Sequence, residues 1–184
     1  TGINCGIDCN ENYAQDTSIT LTAKADTGSV FKGWSGACTG TATCVVSLTE
    51  AKAVTATFDK ITYELKATLS GDGKVTSAPA GIDCGTDCAE IYDTGTSVVL
   101  TAAANAGSRF VGWSGSCSGT AATCTVSMTA AKAVTATFKP LYTLTVSETG
   151  AGKVTSAPVG IDCGADCSED DLTGTNVTLT ATAD

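Results

Sequence analysis

The chain repeats itself at a fixed interval. Gly81-Ile82-Asp83-Cys84-Gly85-Thr86-Asp87-Cys88 returns 79 residues later as Gly160-Ile161-Asp162-Cys163-Gly164-Ala165-Asp166-Cys167, and Gly2-Ile3-Asn4-Cys5-Gly6-Ile7-Asp8-Cys9 stands 79 residues earlier. Phe31-Lys32-Gly33-Trp34-Ser35-Gly36 and Phe110-Val111-Gly112-Trp113-Ser114-Gly115 keep that step. Ala51 to Phe58 and Ala131 to Phe138 are separated by 80. A constant period means one structural unit used several times, and it sets the size of whatever folds. Near-identical modules in tandem point to a spacer or a multivalent binder ahead of an enzyme.

The period divides the 184 residues into a first module over 1–59, a middle module over 60–139 and a third over 140–184. The middle one carries every part of the repeat. The first lacks the piece matching Ile61 to Pro79, and the third stops where the middle module reaches Asn105. Two expectations follow. The chain is a window on a longer array, or its end modules are completed by copies of itself through strand addition at an open sheet edge.

A unit of this length buries only about 60% of the surface its unfolded chain exposes, so its core needs help. Ten cysteines supply it, spaced as Cys5/Cys9, Cys38/Cys44, Cys84/Cys88, Cys117/Cys124 and Cys163/Cys167. An even count at repeated spacing reads as a disulfide framework formed in an oxidising, extracellular compartment. Pairing within each couple leaves no cysteine over in the third module. It also tolerates the change from five to six residues between the second couple's members. In the chain-entropy model each small loop contributes about 2 kcal/mol, whereas pairing Cys84 with Cys117 would close a longer loop worth roughly 4. A metal reading is weaker. There is no histidine, and Cys-x3-Cys and Cys-x6-Cys depart from zinc spacings.

The segments between turn residues read as strands: Tyr142–Val146, Lys153–Ser156, Thr96–Ala103, Arg109–Trp113, Thr125–Met128 and Ala133–Phe138. They are rich in Thr and Val, which suit a half-buried pleated surface. The expected fold class is therefore all-β: tandem disulfide-stapled modules of about six short strands each. Asp87-x-x-Glu90, with Asp8-x-x-Glu11 and Asp166-x-x-Glu169, has the form of a capping pair and predicts one helical turn after each first cysteine couple. The same carboxylates, with Asp83 and Asp93, form an acidic cluster that could attract a weakly held cation such as Ca²⁺. Asn4 replaces Asp83 in the first module, so the charge varies while Asp-x-x-Glu persists, which favours the cap. The joints between modules are short and lack Gly/Ser composition, and Pro140 stiffens the second, so a stiff rod is expected.

Trp34 and Trp113 are the candidate ligand-stacking residues. As large aromatics in a small module, they are also the expected core with Phe31, Phe58, Phe110 and Phe138. Catalysis has little footing. Without histidine there is no Ser-His-Asp or Cys-His arrangement, and cysteines in bridges are not nucleophiles. A net charge of −9 with ten scattered Lys and Arg argues against a nucleic-acid partner. No apolar run is long enough to span a membrane, and no cofactor is called for. Asn176-Val177-Thr178 is a lone glycosylation sequon.

Phe110-Val111-Gly112-Trp113 with the closing Val134-Thr135-Ala136-Thr137-Phe138 resembles the divergent internalin-type B-repeat modules of bacterial surface proteins. Tyr142-Thr143-Leu144-Thr145-Val146 and the Gly-Trp-x-Gly-x-Cys pattern resemble its cysteine-bearing branch. The resemblance implies a roughly β-grasp-like fold, a secreted or surface-attached bacterial protein, and no shared catalytic residues. Its members are spacers or adhesive regions. The expected function is a structural stalk or filament segment; the alternative is a module that binds a host or surface glycan or protein through Trp34 and Trp113.

Overall fold

The computed structural model describes residues 2–183, and within them the protein is built from strands. It divides into two compact units, one through Thr62 and one from Tyr63 onward.

The first unit contains β1 (Ser18–Leu21), β2 (Ser29–Gly36), β3 (Cys44–Ser47) and β4 (Val54–Lys60). β1 pairs antiparallel with β3 and β2 antiparallel with β4, giving two two-stranded sheets.

The second unit begins with β5 (Thr62–Ser70), β6 (Gly73–Ala78), the two-residue β7 (Asp83–Cys84), β8 (Ala89–Asp93) and β9 (Ser97–Ala104). It continues with β10 (Ser108–Gly115), β11 (Thr123–Ser127) and the long β12 (Lys132–Thr145). β13 (Gly152–Ala157), β14 (Ser168–Leu172) and β15 (Thr178–Ala183) follow. One sheet of the middle module has the order β10-β12-β5-β8, the other β11-β9-β6-β7. Leu65, Ala67, Val134, Ala136 and Phe138 from the first sheet meet Val75, Val98, Leu100, Ala102 and Val126 from the second in one buried cluster. Every second residue of β9 is buried, Val98, Leu100 and Ala102, while their neighbours face out; this is the period-2 signature of a half-buried strand. In place of the helix of a β-grasp, the second sheet covers the first.

β12 does two jobs. Its first half, Lys132 to Thr137, lies parallel to Leu65–Ser70 of β5 and antiparallel to β10. Its second half, Leu141 to Thr145, pairs antiparallel with β14. Pro140 sits between them, where Leu141 N–H donates to the Gly107 carbonyl. The second joint of the repeat is therefore a continuous strand.

The helical turn expected after each first cysteine couple is absent. Ala89–Asp93 and Ser168–Leu172 are strands, and Asn10–Ala14 is irregular. The Asp side chains accept from the backbone two residues on, Asp87 from Ala89 N–H, Asp8 from Asn10 and Asp166 from Ser168. That is a turn geometry, which competes with a helix start rather than capping one. Glu90 then points along a strand, its Cγ filling the space beside Gly81.

All five bridges are local: Cys5–Cys9, Cys38–Cys44, Cys84–Cys88, Cys117–Cys124 and Cys163–Cys167. The Cys84–Cys88 loop is also closed by backbone bonds in both directions between Asp83 and Asp87. Cys84 is fully buried in the cluster, so this bridge ties a surface loop to the core.

Two bridges at about 2 kcal/mol each amount to about 4 kcal/mol for the middle module. Each kcal/mol shifts the midpoint of a domain this size by roughly 4–8 °C. Calorimetry with and without a thiol reductant should show the middle module melting at least about 15 °C lower when reduced; an unmoved transition would remove the stapling argument.

Candidate functional site

The aromatic cluster is the most developed constellation in the repeat, and it is built by a β-bulge. In a regular strand, residues three apart face opposite sides. Between Phe110 and Gly112 the β10–β12 register slips by one residue, and the same slip occurs between Phe31 and Gly33. The extra residue turns Phe110 and Trp113 toward the same face. Gly112 allows it: its φ is +155°, and a Cβ there would lie 3.1 Å from the Gly119 carbonyl oxygen. That carbonyl accepts from Trp113 N–H at 2.8 Å.

The rings then meet at fixed angles. Phe110 lies 5.2 Å from Trp113, edge to face, and 5.4 Å from Phe138. The first unit repeats this, with 5.2 Å from Phe31 to Trp34 and 5.3 Å from Phe31 to Phe58. Both indoles donate back to their own loops, Trp113 Nε1 to the Ala121 carbonyl at 2.9 Å and Trp34 Nε1 to Ala42 at 2.8 Å. With its polar edge satisfied, an indole can be buried without penalty. Trp113 is 6% exposed and serves as core. Trp34 is half-buried beside a cavity of about 170 Å³ lined by Phe31, Thr41 and Ala42.

The acidic residues are spread among different partners. Asp83 pairs with Lys74 at 2.7 Å and Asp162 with Lys153 at 2.7 Å, both at the surface. Asp87, Asp8 and Asp166 hold turns, as above, and Glu90 accepts from Ile91 N–H. Among the described residues no group of three or more Cys, Asp or Glu side chains is placed to hold a metal ion, and no charged side chain is buried. Glu50 is held below the ordinary carboxylate range by the hydrogen bond from Lys52 and by the charge of that ammonium.

Two features escaped the sequence reading. Gly71, in the turn from β5 to β6, and Gly73, the first residue of β6, lie against Phe138. A Cβ on Gly71 would come 2.1 Å from the Phe138 carbonyl oxygen, and one on Gly73 2.5 Å from its ring. The signal was Gly71-Asp72-Gly73 returning as Gly150-Ala151-Gly152. Ser77 is the second: its Oγ accepts from Ile82 N–H and lies 2.9 Å from the Tyr92 hydroxyl, and Ser156 repeats the bond to Ile161.

A family model for the divergent InlB B-repeat domain matches residues 2–62 and again 63–141. The chain belongs to the divergent InlB B-repeat family. Neither a curated protein nor a solved structure matches it significantly. Within this B-repeat chain the Phe-x-Gly-Trp motif has a structural explanation, the bulge that brings both rings into the module's interior.

The two tryptophans should therefore differ. In single-tryptophan variants, iodide should quench Trp34 steeply and Trp113 hardly at all. Trp113→Ala should cost about 3–5 kcal/mol of middle-module stability by denaturant melts; equal quenching of both indoles would contradict the buried assignment.

Proposed function

We propose that the chain is a non-catalytic, load-bearing repeat segment of an extracellular bacterial surface protein, acting as a stiff stalk or a filament subunit. One observation carries the reading: the first and last strands of the middle module, β5 and β12, are parallel neighbours. A pull on the two ends of that module draws β5 toward its N-terminus and β12 toward its C-terminus. Parallel strands loaded this way slide along each other, so all their hydrogen bonds resist together in shear. An antiparallel hairpin pulled at its open ends unzips one bond at a time. β12 then runs on past Pro140 into the pairing with β14, so force leaves the module along an ordered strand. The five cystines favour an oxidising, extracellular setting.

A second reading, binding of a glycan or a protein at Trp34, draws on that indole's partial exposure and the adjoining cavity. It predicts a ligand whose binding is lost in Trp34→Ala.

Single-molecule pulling through the chain ends tests the first reading. The middle module should rupture in one discrete event. Reduction should lengthen that event by about 3 nm, the extended span of two loops with sequence separations of 4 and 7 less the 4.2 and 6.2 Å that the bridged Cα atoms already cover. Smooth extension at low force would sink the load-bearing role.

A further inference from the structure

An open sheet ends in edge strands, whose outward N–H and C=O groups pair with another chain unless something prevents it. The middle module blunts most of its edges. β7 is two residues long, and its Asp83 is paired with Lys74. β8 carries the charges of Glu90 and Asp93. β10 is bulged, and its own loop covers it where Trp113 N–H donates to the Gly119 carbonyl. β11 has none of these devices. Among the described residues it pairs with β9 alone, and Thr123-Cys124-Thr125-Val126-Ser127 holds no charge, no proline and no register shift. No charged residue stands between Arg109 and Lys132, in a chain whose net charge is −9. β11 lies in the repeat that carries every strand, so its free edge is a property of the whole module.

The register shows which groups face outward. Ala102 N–H donates to the Ala122 carbonyl and Met128 N–H to the Thr96 carbonyl, both in step with the β9–β11 pairing. Hydrogen-bonded pairs alternate along an antiparallel ladder. Cys124 and Val126 therefore bond to β9, while Thr123, Thr125 and Ser127 turn their backbone groups away from it. The side chains alternate as well. Val126 is buried and Cys124 half-buried, and Thr123, Thr125 and Ser127 face solvent.

We propose that β11 pairs antiparallel with β11 of a second copy, about a two-fold axis at Thr125. Thr125 then stands opposite Thr125, and Thr123 opposite Ser127 of the second copy, as hydrogen-bonded pairs. Cys124 stands opposite Val126, so inner face meets inner face and two sheets become one. The occupant is a second copy because the strand is its own complement under that rotation: outward-bonding residues meet outward-bonding residues, and buried residues meet buried ones. Charge decides the rest. A charged side chain at a two-fold axis faces itself, and like charges directly opposite are destabilising. The uncharged stretch is where this acidic chain can approach its copy. The pairing rests on strand geometry and holds whether or not the segment bears load.

Sedimentation velocity on the 184-residue chain should show mass rising toward a dimer between micromolar and millimolar concentration. Thr125→Pro removes the N–H at the axis, a change that an edge strand tolerates where that N–H faces solvent. It should weaken association at least about tenfold, since each copy loses a hydrogen bond. Thr125→Ala, which leaves the backbone groups intact, should change it less than about threefold. Thr125→Lys and Thr125→Glu should each weaken association alone, and an equimolar mixture should recover it as the mixed dimer. Misfolding cannot mimic that recovery. A chain that is monomeric at millimolar concentration would overturn the proposal. So would association indifferent to Thr125→Pro, or a Lys/Glu mixture that associates no more tightly than either variant alone.

Discussion

The module depends on one long-range contact, the parallel pairing of its first strand with its last. β5 and β12 are separated by most of the repeat, and their pairing puts Leu65 and Ala67 beside Val134 and Ala136 at the centre of the core. The pairings within the second sheet, β6 with β7 and β9, and β9 with β11, are antiparallel and span shorter stretches of chain. In the first unit β4 is paired along one edge, with β2. With the same aromatic residues and the same bulge, its β4 face is half-exposed where the β12 face is sealed. Identical side chains thus differ in burial because one backbone neighbour is present or absent. Sheet completion, more than residue choice, decides how much apolar surface this repeat hides.

The cystines act at the other end of the length scale. Each closes a loop of a few residues, so none of them shortens the search for the β5–β12 contact. Their effect is to fix turns whose backbones would otherwise need several conformations suppressed at once. Cys84 and Cys163 do this from within the apolar interior, being 0% and 2% exposed, while Cys5 and Cys9 lie at the surface. The staple is thus better coupled to the core in the later repeats than in the first.

The repeat period, the strand-rich composition and the pairing within cysteine couples were legible because each is a local or periodic signal. Val98, Leu100 and Ala102 alternate, and so announce a strand. The Asp-x-x-Glu pattern misled because its first residue can serve a turn as readily as a helix start. Here Asp87 bonds Ala89 and the chain proceeds as β8. The parallel contact was not legible. Nothing in Leu65–Ser70 names Lys132–Thr137 as its partner, since pairing across that distance is chosen by the packing of the whole unit. The Gly71/Gly73 seat for Phe138 was hidden for the same reason: two glycines in a turn signal a bend, and only the fold reveals the ring above them.

The extra residue in the middle repeat shows how this architecture tolerates change. Trp34 donates to Ala42 and Trp113 to Ala121, so the offset of 79 persists through the part of the loop that faces the indole. By Cys44 and Cys124 it has become 80, which places the insertion after the tryptophan's acceptor and before the second cysteine. There Ala122 finds its own use, accepting from Ala102 N–H at 2.8 Å. The bridge then returns the chain to register, and Val54–Phe58 and Val134–Phe138 oppose β2 and β10 residue for residue alike. A short covalent loop confines length variation to one bend, leaving the last strand, which must meet a distant partner in a single register, undisturbed.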